Sequence, residues 1–123
     1  MPADANAYGD IFGGWLVGLM DLAAGSVAAR CARGRAVTVA MDSMQFLLPV
    51  KIGDEVSVYG QLVRAGRSSM TIAVEAWRRE RHRDDAFKVT EAVFTFVAID
   101  DSGRPRALNG DTGTETRAVR KGD

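Results

Sequence analysis

Histidine and cysteine are nearly absent from this 123-residue chain, which contains one of each. The lone Cys31 cannot form an intrachain disulfide, and its apolar surroundings favour a small buried residue over a nucleophile. The lone His82 leaves metal coordination and serine catalysis without the ligands or the base that they need. We therefore predict no metal site, and we place His82 in a solvated turn within the mixed-charge run from Arg78 to Asp85.

An excess of either charge is also absent, since sixteen basic residues balance sixteen acidic ones. A neutral chain has no overall attraction for nucleic acid or for an anionic membrane, so neither is predicted as a partner and any anion site must be local. No charged start followed by an apolar signal segment is present, which predicts a cytoplasmic protein. The length suits one domain whose surface oligomerisation would help to cover.

The longest apolar stretch begins at Gly14 and continues to Cys31 with mostly small residues and no polar face. This pattern predicts a helix that is buried nearly all round and ends near Arg30 or Ala32. The stretch is too interrupted to span a membrane, so we predict a core helix and no membrane insertion. Asp21 conflicts with its apolar neighbours, because a buried carboxylate costs several kcal/mol unless partners or a reaction justify it.

The spacing of Gly14 and Asp21 places them on nearly the same helix face, two turns apart. At the helix start, Gly13 and Gly14 would let the unpaired amides of the first turn approach a ligand oxygen. Amides and a nearby carboxylate are the parts needed to polarise a carbonyl and to activate water against it. Alternatively, the glycines allow close helix packing and Asp21 pairs with an arginine; the residues alone leave both interpretations open.

The rest of the chain reads as strands separated by turns. The strands are predicted at Ala36 to Leu48, Val56 to Arg64, Met70 to Ala76 and Phe87 to Ile99. The first lacks clean alternation, which favours a central or dimer-facing strand covered on both faces. One helix and four antiparallel strands give an α+β fold in residues 1–108, with the sheet wrapped around the helix. Residues 109–123 are polar, and we predict a disordered tail.

Several short motifs follow one another in this sequence, and together they identify a protein family more specifically than any one of them does. These are Asn6, Gly9-Asp10-Ile11-Phe12-Gly13-Gly14-Trp15, Met20-Asp21, Gly34-Arg35-Ala36-Val37-Thr38-Val39 and Gly66-Arg67-Ser68-Ser69. Together they resemble the YciA-type acyl-CoA thioesterases of the hotdog fold, from about Met1 to Leu108. Tyr8 departs from the asparagine usual in that family. Such proteins also carry a strand before the motif, for which the residues ahead of Asn6 leave no room.

The resemblance implies an antiparallel sheet around one long helix, an obligate homodimer with shared sites, and a trimer of such dimers. It implies that Asp21 is the catalytic carboxylate and that the turn at Gly13 and Gly14 holds the thioester oxygen. It also implies a set of substrate and coenzyme A contacts, with coenzyme A entering as part of the substrate and no separate cofactor. That set is Asn6, Phe12, Thr38, Arg67, Ser68, Ser69, Arg104 and Arg106.

The predicted activity is hydrolysis of acyl-CoA to a free carboxylic acid and coenzyme A. A non-catalytic protein that binds or senses acyl-CoA is the alternative, and a hotdog dehydratase is disfavoured because His82 is the only histidine. Asp21 separates the first two, since a binding protein gains nothing from a carboxylate beside a thioester.

Overall fold

The computed structural model describes residues 13–108 and 118–120, which form one long helix and a five-stranded sheet. The elements are α1 (Gly13–Ala32), β1 (Ala36–Phe46), β2 (Glu55–Ala65), β3 (Ser69–Arg79), β4 (Ala86–Ala98) and β5 (Ala118–Arg120). All strand pairs are antiparallel, in the order β1-β4-β3-β2-β5. The predicted α+β hotdog architecture, a sheet packed on one helix, is confirmed.

Helix α1 buries one side against the sheet. Met20, Ala24 and Val27 recur at helical spacing and are fully buried, and they pack in one core with Ile72 and Phe94. By length and composition Gly14–Ala32 could also cross a membrane, but here 44% of that stretch is buried within the chain.

The other side of α1 is exposed, which corrects the prediction of a helix buried nearly all round. Leu22 is 73% exposed, and Gly14 and Gly18 lie on the same open stripe. An apolar sequence without a polar face indicates that something covers each face, and in this helix the single chain supplies the cover on one side only.

Helix α1 ends at Ala32, one of the two ends that the sequence predicted. The Gly34 N–H donates to the Ala29 carbonyl at 3.2 Å and the Arg33 N–H to the Arg30 carbonyl at 3.3 Å. These two bonds form a Schellman motif, whose left-handed position is occupied by Arg33 with a φ of 53°. Gly34 lies one residue beyond that position, so the need for glycine there has another cause.

Strand β1 lies at an edge of the sheet, so it is not the central strand of this chain. The dimer-facing alternative is compatible with an edge. At the opposite edge, β5 pairs with β2, although the sequence analysis predicts disorder throughout 109–123. Pairing uses main-chain groups, which need no apolar side chains. The other residues of that tail lie outside the described part of the chain.

The turns fall between the predicted strands, and one close contact was missed. The Gly66 N–H donates to the Ser69 carbonyl at 2.8 Å and closes the hairpin between β2 and β3. Gly60, in the middle of β2, lies directly beneath α1. A Cβ at Gly60 would be 3.2 Å from Val27 Cγ2 and 3.6 Å from the Ala23 carbonyl oxygen, so the helix approaches the sheet closely here.

Candidate active site

Asp21 projects from the middle of α1 toward the edge strand β1. The Thr38 hydroxyl donates a hydrogen bond of 2.8 Å to Asp21 Oδ1. Asp21 is half-buried and Thr38 is exposed in the single chain. The bond orients the carboxylate, and an ionised carboxylate accepts about four hydrogen bonds, so acceptor capacity is left for a water molecule. Two residues that the resemblance assigns to the site are thus brought together across 17 positions of sequence.

The predicted glycine turn lies at the start of α1. The helix begins at Gly13, so the amides of Gly13 and Gly14 belong to the first turn, which has no acceptors within the helix. A Cβ at Gly14 would meet no atom within 4 Å. Packing within the described chain therefore does not explain Gly14, and the first turn of α1 is open to a ligand or a second subunit.

The same helix holds the glycine turn and Asp21 too far apart for one carbonyl. Seven residues separate Gly14 from Asp21, which is roughly 10 Å along the axis. Groups that act on one carbonyl must lie within about 3–4 Å of it. Within one chain, the amides and the carboxylate cannot serve the same thioester.

Main-chain hydrogen bonds bring the two predicted coenzyme A segments to one end of the sheet. The Leu108 N–H donates to the Arg67 carbonyl at 2.8 Å, and the Ala98 N–H donates to the Ser68 carbonyl at 2.9 Å. Arg67 and Arg104 are exposed there, while Ser69 lies against the Gly66 backbone of the same turn. We name Arg67, Ser68, Ser69 and Arg104 the anion rim.

Asp100 fixes the loop that presents Arg104. Its Oδ1 accepts hydrogen bonds from the Ser102 hydroxyl at 2.7 Å, the Ser102 N–H at 2.9 Å and the Arg104 N–H at 3.0 Å. The Ser102 hydroxyl first, and the Arg104 N–H second, hold the pKa of Asp100 below its usual value. The carboxylate therefore organises the loop and does not neutralise the Arg104 guanidinium through these bonds.

Arg106 differs from the other predicted rim residues. Its Nη2 donates to the Ala32 carbonyl at 2.6 Å, its Nε donates to the Ile99 carbonyl at 3.1 Å, and the side chain is half-buried. The guanidinium is engaged with main chain, whereas Arg67 and Arg104 extend from exposed turns.

The remaining predictions concern His82, a metal site, and the substrate contacts of Asn6 and Phe12. His82 lies in the exposed β3–β4 turn, as predicted, with a positive φ of 69°. Among the described residues no group of three or more His, Cys, Asp or Glu could hold a metal ion. Asn6 and Phe12 lie outside the described part of the chain, so their predicted contacts stay predictions.

Exposed apolar side chains on β1 and α1 were missed as a functional surface. Val37, Val39 and Met41 are exposed along β1, and Leu22 is exposed on α1. The repeated large apolar residues of β1 were a usable signal, because an edge strand that exposes such residues is typical of a surface that a partner covers.

The comparisons with known proteins agree with this geometry. The profile of the thioesterase superfamily matches residues 8–84. An uncharacterised acyl-CoA thioester hydrolase of Zymomonas mobilis is 57% identical over 105 residues, which cover 85% of this chain and 70% of the relative. The acyl-CoA thioester hydrolase YciA of Escherichia coli is 46% identical, over 88% of this chain and 84% of YciA. The hexameric thioesterase y2039 of Yersinia pestis superposes with a TM-score of 0.86 at 48% identity, covering 89% of this chain and 90% of y2039.

The fold and the matched residues define the class: this chain belongs to the thioesterase superfamily. Within that superfamily it is similar to the YciA-type acyl-CoA thioester hydrolases, as the sequence blocks around Asp21 predicted.

Proposed function

We propose that this protein hydrolyses acyl-CoA thioesters to free carboxylic acids and coenzyme A, with Asp21 as the catalytic carboxylate. The observation that carries the proposal is the carboxylate of Asp21, oriented by Thr38 at 2.8 Å on an open apolar face of the subunit. An oriented carboxylate beside a thioester can take the proton of an attacking water or attack the carbonyl itself.

The thioester oxygen is held by the first-turn amides at Gly13 and Gly14, which a helix N-terminus directs at negative charge. Because these amides lie roughly 10 Å from the Asp21 of the same helix, we propose that each site combines Asp21 of one subunit with the glycine turn of another. The exposed edge of β1 and the open stripe of α1 support a homodimer, since each leaves apolar surface uncovered. A trimer of dimers is the assembly that we propose by analogy with the hexameric y2039.

The substrate would lie between two regions of the subunit. Arg67 and Arg104 of the anion rim would bind coenzyme A phosphates, and the Ser68 and Ser69 hydroxyls would add hydrogen bonds. The acyl chain would lie on the exposed apolar residues beside Asp21, Leu22 and Met41 among them. Asn6 and Phe12 are proposed substrate contacts from the resemblance alone, and the cytoplasmic location is likewise a proposal.

One assay distinguishes hydrolysis from the alternative function, which is binding of acyl-CoA without turnover. Purified protein is mixed with acyl-CoAs of increasing chain length, and free thiol is measured over time. Hydrolysis predicts thiol release that is proportional to protein, with the matching free acid formed in equal amount. Saturable acyl-CoA binding without thiol release at any chain length would favour the alternative.

A further inference from the structure

Arg106 joins three parts of the chain that are distant in sequence. Its guanidinium donates to the carbonyl of Ala32, the last residue of α1, and to the carbonyl of Ile99, just after β4. Its own N–H donates to the Ala98 carbonyl at 2.9 Å. A cation at the C-terminal end of a helix also interacts favourably with the helix dipole. The side chain thus ties the end of α1 to the segment that carries Arg104.

Gly34 makes room for this contact. A Cβ at Gly34 would be 2.7 Å from Arg106 Nη2, the atom that binds the Ala32 carbonyl. Nη2 is at the end of a flexible side chain and could move away, but the hydrogen bond to Ala32 would then be lost. Gly34 does not occupy the left-handed position of the helix end, which Arg33 occupies, so backbone conformation is not its reason.

We propose that Arg106 is a positioning residue and does not bind coenzyme A phosphate. Its guanidinium, in the space left by Gly34, links the end of α1 at Ala32 to Ile99, just after β4. We name this pair of contacts the latch. Phosphate binding then falls to the anion rim, whose two arginines, Arg67 and Arg104, are exposed. The kinetic part of this inference rests on the proposed thioesterase activity, because Arg106 acts through α1 on Asp21, eleven residues and roughly 16 Å before Ala32.

The first test measures thermal stability and needs no activity. The melting temperatures of Gly34→Ala, Arg106→Ala and the double variant are compared with the wild type at one protein concentration. Losing hydrogen bonds from a charged donor should lower Tm by roughly 5–10 °C in Arg106→Ala. Gly34→Ala should lower Tm in the presence of Arg106 and have no further effect in its absence. Additive effects of the two substitutions would overturn the latch.

The second test separates positioning from phosphate binding by removing the phosphates from the substrate. Wild type, Arg106→Ala, Arg106→Lys and Arg104→Ala are assayed, as folded protein, with an acyl-CoA and with the same acyl group on N-acetylcysteamine. We expect Arg106→Ala to lower kcat roughly tenfold for both thioesters, because misplacing Asp21 affects the reacting carbon whatever the leaving group carries. Arg106→Lys, which keeps one donor, should recover part of that loss.

Arg104→Ala is the matched control, and it should raise KM for the acyl-CoA alone. A rise in KM for the acyl-CoA alone in Arg106→Ala would identify Arg106 as a phosphate ligand and overturn the proposal. An unchanged kcat in folded Arg106→Ala would reduce the residue to a purely structural contact, which also overturns it. If wild type releases no thiol at all, the proposed function fails, while the stability test of the latch still stands on its own.

Discussion

The two sides of this subunit differ in how far a single chain buries their apolar side chains. Between α1 and strands β2, β3 and β4 the packing is complete: Met20, Ile72 and Phe94 are essentially inaccessible. Along β1 and the open stripe of α1 the packing is unfinished, with Val39 56% and Leu22 73% exposed. The unfinished side is also the side that holds Asp21 and Thr38.

One cluster of polar groups on the sheet, formed by Glu75, Trp77, Lys88 and Glu91, is partnered within the chain. Glu75 and Glu91 are direct cross-strand neighbours, and Lys88 Nζ lies 3.2 Å from one and 3.0 Å from the other. The Trp77 Nε1–H donates to Glu75 at 3.1 Å and, ahead of Lys88, lowers the pKa of that carboxyl. Hydrogen bonds to Glu91 and then to Glu75 raise the pKa of Lys88. This cluster needs no further partner, whereas the surface around Asp21 does.

This difference predicts which substitutions should affect activity and which should affect stability. A substitution in the completed packing should lower the free energy of unfolding, because neighbouring atoms are fixed. A substitution at the unfinished side should alter turnover or assembly, because we propose that a substrate and a second subunit contact this surface.

The largest expected effect is that of Asp21→Asn on turnover. Asparagine keeps the volume and can still accept from Thr38, but it cannot take a proton from water, so kcat should fall about 10²–10⁴-fold. Thiol release from a saturating acyl-CoA measures this. Asp84→Asn, in the exposed β3–β4 turn, is the control and should keep full activity. Full thiol release by Asp21→Asn would remove the catalytic assignment.

Arg67→Ala should weaken substrate binding more than chemistry. Phosphate contacts are remote from the reacting carbon, so KM should rise while kcat changes little. Losing a charge-assisted contact costs roughly 1.5–3 kcal/mol, which corresponds to about a 10- to 100-fold rise in KM. Arg81→Ala changes an exposed arginine at the opposite end of the sheet and should leave KM unaltered. Equal KM values for both variants would mean that other residues bind the phosphates.

Gly60→Val tests the completed side. The new side chain would collide with Val27 and the Ala23 carbonyl beneath α1, and overpacking of this kind costs about 1–3 kcal/mol. Denaturant unfolding measures the loss. Gln61→Val, on the next residue and the exposed face of β2, should leave the free energy of unfolding nearly unchanged. Equal stability of the two variants would show that helix and sheet separate easily.

The smallest expected effect is a gain in stability from His82→Gly. A non-glycine residue with a φ of 69° is strained, and glycine relieves roughly 0.5–1 kcal/mol of that strain. Thermal unfolding should show a higher Tm, with thiol release unchanged because His82 lies in an exposed turn. Arg81→Gly, one residue earlier and without a positive φ, should lower Tm slightly or leave it unchanged. A loss of activity in His82→Gly would reopen the question of a histidine base.

Local signals in the sequence were sufficient to predict the helix and the strands, but not the contacts between residues that are far apart in the chain. Turn residues and periodicity predicted that α1 ends near Arg30 or Ala32 and that a turn separates the strands on either side of Gly66, since both features depend on neighbours in the chain. The approach of α1 to Gly60 and the capping of Ala32 by Arg106 join residues far apart in sequence, and no periodicity encodes them. Thr38 was identified through the resemblance, whereas its bond to Asp21 required the fold.

Strand β1 shows a second limit of prediction from the sequence. Its apolar residues read as a strand covered on both faces, and that pattern does not say which chain provides the cover. The prediction of a central strand was therefore wrong for the single chain, while the alternative of a dimer-facing strand is compatible with an edge position.

Mixing two inactive variants tests the shared site most directly. Asp21→Asn removes the carboxylate, and Gly14→Pro removes one first-turn amide at a helix position that tolerates proline. Differently tagged subunits are mixed, exchange is verified by the mass of the mixed oligomer, and thiol release is measured. The account predicts that each variant alone is inactive and that mixed dimers recover activity, because one of their two sites combines an intact Asp21 with an intact glycine turn. A mixture that stays inactive despite verified exchange would contradict a site built from two subunits.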